Sequence, residues 1–225
     1  RSVDIGLNSA YKGKPVSVQL RESGRMITSN GLNFGGNGNA GYTDFLIDGE
    51  GASLQVLSGS VTMGAYAQDA FPAHRFTQNR GTVEAGAVYV GKLQPADYAQ
   101  NGGTATLGAV TVYDGSSLTL NGGTFTSTSL KLLSGGSLAL NGGTFAPGTL
   151  TVPDGMVLSL NGCEFVCAKA ANAIPLSVAG ASRLTYADDV TLSSGVLTHV
   201  AEGTDLSFNV AAGKTVSIDT DLIVA

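Results

Sequence analysis

One four-residue turn recurs along this chain at a constant interval. The copies begin at Asn101, Asn121, Asn141 and Asn161; the first three read Asn-Gly-Gly-Thr and the last reads Asn-Gly-Cys-Glu. A fixed period of about 20 residues indicates a chain that winds, with one coil for each repeat. Asn-Gly is also a strong hairpin signal, but a hairpin meander gives no reason for a constant full-coil period. The repeat therefore favours a solenoid over an antiparallel sandwich or barrel.

A large apolar residue precedes each turn at a fixed distance. Going backwards along the chain, the number of residues between successive members is constant for three coils and slightly larger for three more. This spacing predicts one column of core side chains: Leu158, Leu138, Leu118, Tyr98, Phe76, Leu54 and Leu32. Apolar residues alternate with polar ones around these positions and glycine interrupts each run, which is typical of short β-strands. The pattern predicts three short parallel sheets around one aliphatic core, with strands about 4.8 Å apart.

The predicted fold class is all-β: a single-stranded parallel β-helix, or β-solenoid, of about ten coils with 20–22 residues each. One domain spans residues 1–225, with an opening coil or cap at 1–31, regular coils at 32–165 and less regular coils at 166–225. A single coil buries too little apolar surface to fold alone, so the coils are expected to form one cooperative array. Because the sequence closes on an apolar run, Leu222 to Ala225, we expect the chain to be a piece of a larger surface protein.

Asparagine recurs at the same corner of successive coils. In a wound chain, Asn101, Asn121, Asn141 and Asn161 come to lie above one another, and each side-chain amide can bond the next. Asn and Gly also adopt the backbone angles of a sharp corner at low cost. These four residues are therefore predicted to form an amide ladder that closes the corner.

The repeated pattern Gly-x-Ser-Leu-x-Leu-Asn-Gly-Gly-Thr-Phe carries a resemblance to known proteins. It is matched by the stretches Gly51 to Val61, Gly115 to Phe125 and Gly135 to Phe145. It resembles the parallel β-helix of autotransporter passengers, filamentous adhesins and the pectin-lyase-like superfamily. The resemblance implies right-handed winding and a secreted or cell-surface location, but it implies no chemistry by itself.

Composition fits an extracellular protein. Charged residues make up only 13% of the chain, there are 32 glycines, and the net charge is −5. The 12 Lys and Arg residues are scattered without a basic stripe, which argues against nucleic acid as a partner. No apolar run is long enough for a transmembrane helix. We expect a glycan or a host surface protein as the partner.

Four segments break the coil rhythm, and such insertions often carry function in solenoids. The segment Cys167 to Pro175 is expected to lengthen its coil, so that the column residue after Leu158 is Leu184. The others are Gly35 to Tyr42, Ala65 to His74 and Lys92 to Gln100.

Aromatic and acidic residues of the second and third insertions suggest a candidate ligand site. Tyr66, Asp69, Phe71 and Asp97 fall about one coil apart and could form a sugar-stacking platform with a carboxylate. The alternative is that the aromatic rings pin their own loops to the rod while the acids face water. Carbohydrate is the ligand class that this site would take.

The sequence offers little material for catalysis. Asp188-Asp189 is the adjacent acidic pair, and it is expected to lie in a solvated turn. His74 and His199 are the two histidines, and neither lies in a Gly-His-Gly setting. The chain has no Gly-rich phosphate loop before a helix and no zinc-ligand spacing, and its turns lack the aspartate of calcium-binding repeats. We therefore predict no catalytic residue, no cofactor and no metal.

Two cysteines, Cys163 and Cys167, lie close together in the sequence with three residues between them. If the chain between them is extended, their Cα atoms are ~13 Å apart, beyond the reach of a disulfide. A bend would allow a disulfide that clamps the following insertion in an oxidising compartment. The spacing leaves a disulfide and two buried thiols as alternatives.

The function that these features favour is a structural or adhesive rod of a secreted or cell-surface bacterial protein, which presents loops for binding. A second hypothesis is a pectin-lyase-like enzyme that binds or degrades polysaccharide. A third is a binding module like a phage tail fibre, which is expected to be a tight trimer.

Overall fold

The computed structural model describes residues 3–5, 14–35, 42–66, 72–167, 174–193 and 197–219. Within these ranges the chain forms short β-strands and no helix. In chain order the strands are β1 Val3–Ile5, β2 Val16–Arg21, β3 Arg25–Thr28, β4 Leu32–Phe34, β5 Thr43–Asp48, β6 Ser53–Met63, β7 His74–Gln78, β8 Thr82–Val90, β9 Ala96–Gln100, β10 Thr104–Val112, β11 Ser117–Leu120, β12 Thr124–Leu132, β13 Ser137–Leu140, β14 Gly143–Pro147, β15 Leu150–Thr151, β16 Leu158–Asn161, β17 Cys163–Cys167, β18 Leu176–Ala179, β19 Ala181–Tyr186, β20 Val190–Ser193, β21 Leu197–Val200, β22 Asp205–Val210 and β23 Val216–Asp219.

All pairings among the described strands are parallel. The long sheet has 12 strands in the order β1-β4-β6-β8-β10-β12-β14-β17-β19-β22, with β3 paired to β6 and β15 paired to β12. The second sheet has nine strands in the order β2-β5-β7-β9-β11-β13-β16-β18-β21, and β20 pairs with β23. Successive strands of each sheet come from successive coils, so the molecule is a parallel β-solenoid and the predicted fold class is confirmed. The right-handed sense of the winding stays a prediction.

The coil has three faces, and in the central coils two of them belong to one bent sheet. In β10 the inward side chains are Ala105 and Leu107 before the bend and Val110 and Val112 after it. Because inward positions alternate strictly in a straight strand, this change of phase requires a bend at Gly108. A side chain at Gly108 would collide with the backbone carbonyl of the glycine in the coil before it. In these central coils two of the three predicted sheets are therefore one, because the strand continues through this corner, whereas β20 and β23 form a separate third sheet.

Like residues stack in the interior, as the repeat predicted. On the second sheet, the rings of Phe45 and Phe76 are stacked with centroids 5.3 Å apart, and those of Phe76 and Tyr98 are 4.8 Å apart. Leu118 and Leu138 continue this column on the following strands. On the long sheet, Phe125, Phe145 and Phe165 form another column with centroids 5.6 and 5.7 Å apart. The two columns of rings give the core a continuous apolar interior.

Core residues on the two walls of one coil differ in size in a complementary way. Tyr98 on the second sheet is followed by Ala105 on the long sheet, and both are buried. In the next coil Leu118 is followed by Phe125, and Leu138 by Phe145 in the coil after that. A large ring on one wall thus accompanies a smaller side chain on the other. This exchange keeps the interior filled at nearly constant width, as close packing requires.

The early members of the predicted column were assigned to the wrong sheet. Phe76 lies over Tyr98 as predicted, but Phe45 and not Leu54 precedes it. Leu54 lies in the long sheet over Val83, and Leu32 lies in the same sheet. The extrapolation failed because the coil that runs from Phe45 to Phe76 is much longer than the coils after it. A constant backward step therefore lands on a different face of the coil.

The coil after Leu158 also differs from the prediction. Leu158 pairs with Leu176, so this coil is shorter than its neighbours, although it was expected to be longer. Leu184, the predicted column residue, lies in the long sheet over Phe165. Phe165 and Leu184 are both fully buried. The apolar character of residue 184 therefore predicts that it is buried, but it does not predict which sheet the residue belongs to.

The repeated corner depends on a single glycine with positive φ. In three successive turns this is the second glycine, Gly103, Gly123 and Gly143, with φ of 72°, 77° and 75°. Cys163 occupies this place in the fourth turn, and the positive φ of 70° moves to Gly162. Because an L side chain is strained at positive φ, the fourth corner bends one residue earlier than the others.

Candidate functional site

The predicted loop platform stays a prediction, because only two of its four residues belong to the described part of the chain. Asp69 and Phe71 lie outside the described residues, and Tyr66 is a half-buried residue beside them. Asp97 lies in strand β9 and not in a protruding loop, which corrects its predicted position. Its carboxylate accepts a hydrogen bond of 2.6 Å from the Ser117 hydroxyl on the adjacent strand. Asp97 therefore joins two coils.

An amide ladder runs along the outside of the repeated corner. The Asn101 amide donates to Asn79 Oδ1 at 2.9 Å, Asn121 donates to Asn101 at 2.8 Å, and Asn141 donates to Asn121 at 3.0 Å. Each interior member both donates and accepts one bond, so the ladder links four coils through their side chains.

The ladder differs from its predicted membership at both ends. Asn79 was missed, although Asn79-Arg80-Gly81-Thr82 keeps the first, third and fourth letters of the motif one coil before Asn101. Asn161 was included, but the described residues contain no hydrogen bond between its side chain and Asn141. Its turn is the one in which the positive φ has moved to Gly162, and Asn161 is the last residue of strand β16.

Two buried glutamines close the same corner from the inside. The Gln78 amide donates to the backbone oxygens of Gly81 and Thr104, both at 3.1 Å. The Gln100 amide donates to the backbone oxygens at the equivalent two positions one coil further along, at 3.3 and 3.0 Å. The buried Tyr98 hydroxyl donates to Gln78 Oε1 at 3.2 Å, whereas Gln100 Oε1 has no partner among the described residues. The two glutamines thus differ in how fully they are bonded.

The Cys163 side chain is a free, fully buried thiol. Cys163 and Cys167 are the two ends of the extended strand β17, which keeps their Cα atoms beyond disulfide reach. Burial raises the pKa of the Cys163 thiol to about 12. The group is therefore protonated at neutral pH and is a poor nucleophile.

His74 is buried and held in one tautomer. The backbone N–H of Thr43 donates to Nδ1 at 3.1 Å, so the ring proton lies on Nε2, which faces Gln94 Oε1 at 3.3 Å. Burial lowers the pKa of His74, and the bond to Gln94 opposes this only in part. These contacts join three coils, so the role of His74 in the described structure is to hold the coils together.

The acidic pair at the far end of the rod shares one lysine as its ion-pair partner. Lys214 Nζ lies 3.7 Å from Asp188 Oδ1 and 3.6 Å from Asp189 Oδ2. Asp189 also accepts a 2.8 Å bond from the backbone N–H of Thr215. These contacts tie the turn before β20 to the turn before β23.

One column of polar side chains runs along the outside of the long sheet. Its members are Cα partners from coil to coil, and all are exposed or half-buried because their side chains point away from the core. We call this set the outer polar column: Arg25, Ser53, Thr82, Thr104, Thr124, Thr144, Glu164, Arg183 and Ser207. Threonine occupies its centre and charged groups lie towards its ends.

A shallow groove of about 350 Å³ opens on the outer polar column around Glu164. Glu164 is fixed by two threonine hydroxyls, with Thr144 donating to Oε2 at 3.1 Å and Thr185 donating to Oε1 at 2.9 Å. Arg183 and Asp205 also line the groove. The site offers a fixed acceptor beside an exposed guanidinium, which is suited to hydrogen-bonding a polyhydroxylated ligand.

A second cluster, which the sequence did not reveal, lies on the other limb of the bent sheet. The rings of Tyr89 and Tyr113 meet edge to face with centroids 6.5 Å apart, and Lys92 Nζ lies 5.1 Å from the centre of the Tyr89 ring. We call Tyr89, Lys92, Leu93, Tyr113 and Lys131 the aromatic–lysine cluster. The partner of Tyr89 in the strand register is Thr111 and not Tyr113, so the repeat does not align the two rings.

Comparison with protein-family models, with curated proteins and with solved structures gives no match to this chain. The strand topology by itself places the protein in the class of parallel β-solenoids. Across the described ranges, no set of three or more His, Cys, Asp or Glu side chains is placed to hold a metal ion. No helix of the described chain has the length and apolarity needed to cross a membrane.

Proposed function

We propose that this chain forms an adhesive rod within a secreted or cell-surface bacterial protein. The outer polar column carries the proposal, because it places nine hydrogen-bonding side chains in line on one face of a stack of coils. With strands about 4.8 Å apart, the column is roughly 40 Å long. A regular surface of this kind can contact an extended partner at many points.

The stiffness of the stack supports the same function. Side-chain ladders and ring columns join neighbouring coils inside and outside the corner, so the outer surface is held on a rigid scaffold. Rigid surfaces lose little conformational entropy on binding. The mechanism is geometric: coils of constant height hold hydroxyl groups at constant intervals. A glycan or a host surface protein is the partner, and the location is extracellular.

The adhesive function is tested by bead retention. Beads coated with the chain are washed over surfaces that carry immobilised glycans or host glycoproteins, and we expect retention above that of uncoated beads. Thr124→Lys places a charge at the neutral centre of the outer polar column and should lower retention several-fold, whereas the matched Thr124→Ser keeps the hydroxyl and should not. Coated beads that are retained no better than uncoated ones on any surface would sink the proposal.

Two further measurements separate the adhesive rod from its alternatives. Light scattering on the purified chain distinguishes a monomer from the tight trimer of a tail-fibre-like module. A polysaccharide-degrading enzyme is the second candidate, since Glu164, Arg183 and Asp205 line one groove and combine carboxylates with a cation. Release of reducing ends from polysaccharides, lost in Glu164→Gln, would favour the enzyme over the adhesin.

A further inference from the structure

We propose that the aromatic–lysine cluster binds an anionic sugar residue through the partly exposed Tyr113 ring and a lysine ammonium. The inference deepens the proposed adhesive function by naming the chemistry of one partner, and it concerns a different limb of the sheet from the outer polar column. Nothing in the repeat pattern points to this cluster, so the three-dimensional placement of its residues is the evidence for it.

The cluster presents aromatic surface that is exposed in part. Lys92 lies over the ring of Tyr89, and the edge-to-face contact of 6.5 Å sets the plane of Tyr113 at 66° to that ring. Both tyrosines are half-buried, so each is anchored at its base and exposed in part. A partly exposed aromatic ring on a fixed backbone is a suitable surface for the apolar face of a pyranose.

The backbone under the cluster is fixed by hydrogen bonds. The Tyr113 N–H donates to the Val90 oxygen at 3.0 Å, and the Lys92 and Leu93 N–H groups donate to Met63 and Gly64 of the preceding coil at 3.0 and 2.8 Å. Side chains on such a backbone need little reordering when a ligand arrives.

The cluster is cationic although the chain as a whole carries a net charge of −5. Lys131 lies in the same outward column as Tyr89, two coils further along, which places it about 9.6 Å away. Among the described residues, no carboxylate lies within salt-bridge distance of Lys92 or Lys131. The Asp114 carboxylate, next to Tyr113, is directed against Gly135 of the following turn. Two lysines on the same limb as the partly exposed rings therefore favour a ligand that combines a sugar face with negative charge.

The size of the cluster favours a saccharide over a protein. Leu93, 58% exposed, is the large exposed aliphatic side chain of the cluster. One aliphatic side chain and two half-buried rings provide far less apolar area than the roughly 800 Å² per partner that a stable protein interface buries. A sugar residue needs only one ring-sized surface and a few directed polar contacts.

Calorimetric titration of the full chain tests the inference. The probes are a uronic-acid oligosaccharide, a sulfated oligosaccharide and an uncharged oligosaccharide of equal length, with an acidic peptide of equal charge as a fourth probe. We expect binding to at least one anionic sugar, weakened by added salt, and weaker binding to the uncharged sugar and the peptide. The first two probes distinguish a carboxylated ligand from a sulfated one.

Matched variants locate the binding site. Tyr113→Ala and Lys92→Gln should each weaken binding about tenfold, whereas Tyr113→Phe, which keeps the ring, should stay within about twofold. Lys14→Gln removes an equal charge from an exposed position in the first coils and should leave affinity unchanged. Thermal unfolding of every variant checks that the fold is intact.

Several outcomes would overturn the inference. These are no binding to either anionic sugar, equal binding of the uncharged sugar or the peptide, or unchanged affinity in both Tyr113→Ala and Lys92→Gln. Bead retention of the wild-type chain keeps the two proposals apart. Wild-type beads that adhere while no anionic sugar binds would sink this inference alone, and beads that never adhere would sink the adhesive function whatever the calorimetry shows.

Discussion

Asn121 lies in the interior of the amide ladder, where its side chain donates one hydrogen bond and accepts another. Asn121→Ala removes both bonds from an exposed site and should lower the free energy of unfolding by about 1 kcal/mol. Asn161→Ala is the matched control, because its side chain is outside the ladder, and its effect should stay within about 0.5 kcal/mol. Urea unfolding measures both, and equal losses in the two variants would show that the ladder adds no stability.

The two buried glutamines predict different responses to the same substitution. Gln78→Leu leaves the buried Tyr98 hydroxyl without its acceptor and should cost about 1–3 kcal/mol. Gln100→Leu also removes an oxygen that has no partner in the described residues, and leucine already fills this core position as Leu120 in the next coil. We therefore expect a smaller cost for Gln100→Leu, and chemical denaturation that ranks the variants in the opposite order would contradict this account.

His74 couples stability to pH. Burial lowers its pKa below the ordinary value of about 6.5, so the unfolded chain binds this proton more readily than the folded chain. The contribution of neutral His74 is complete above about pH 6.5 and is lost as the pH falls from there towards the lowered pKa. Unfolding measured at pH 7.5 and pH 5 should show a larger acid-induced loss in the wild type than in His74→Gln. Equal losses would show that other groups carry the pH dependence.

At the scale of strands, the complementary pairs on the two walls predict compensating substitutions. Leu118→Phe overpacks one wall and Phe125→Leu leaves a small cavity at the other, and each should lower the free energy of unfolding by about 1–3 kcal/mol. The double variant restores the total volume of the coil, so its cost should fall clearly below the sum of the two single costs. Thermal unfolding of all four proteins forms the cycle. Strict additivity would show that the two walls do not share one packing space.

Corner glycines show how an element and its register depend on one residue. Gly103, Gly123 and Gly143 carry positive φ, and the substitution of this position by cysteine in the fourth turn moves the bend to Gly162. The strand before the turn then includes Asn161, and the coil in which this turn lies is shorter than its neighbours. The changed corner, the end of the ladder and the short coil therefore occur together.

For the whole molecule, the protection of backbone amides from hydrogen exchange is expected to vary along the rod. Strands β10 and β12 have paired neighbours on both sides and fully buried inward residues, whereas the inward side chains of β22, Leu206, Phe208 and Val210, are only half-buried. Local opening should therefore require more free energy in β10 and β12 than in β22. Hydrogen exchange followed by mass spectrometry should find slower exchange in the central strands. Faster exchange in the centre than in β22 would contradict this.

The sequence alone determined the class of fold, the strand alternation and most of the amide ladder. These features follow from local rules, since glycine permits the corner, alternation sets the inward face, and a constant period places Asn101, Asn121 and Asn141 at one corner. The period also located the internal column from Phe76 to Leu158. Such inferences need no knowledge of which distant residues meet, because each coil repeats its neighbour.

Only the tertiary structure decided the features for which the repeat changes length or phase. The long coil before Phe76 moved Phe45 into the column in place of Leu54, the bend at Gly108 joined two predicted sheets, and the pairing of strands brought Tyr89 and Tyr113 together although they are not register partners. The physical reason is that side chains meet through the register between strands. Because coils differ in length, a constant step along the sequence loses this register at an irregular coil, although the stacking itself continues across it.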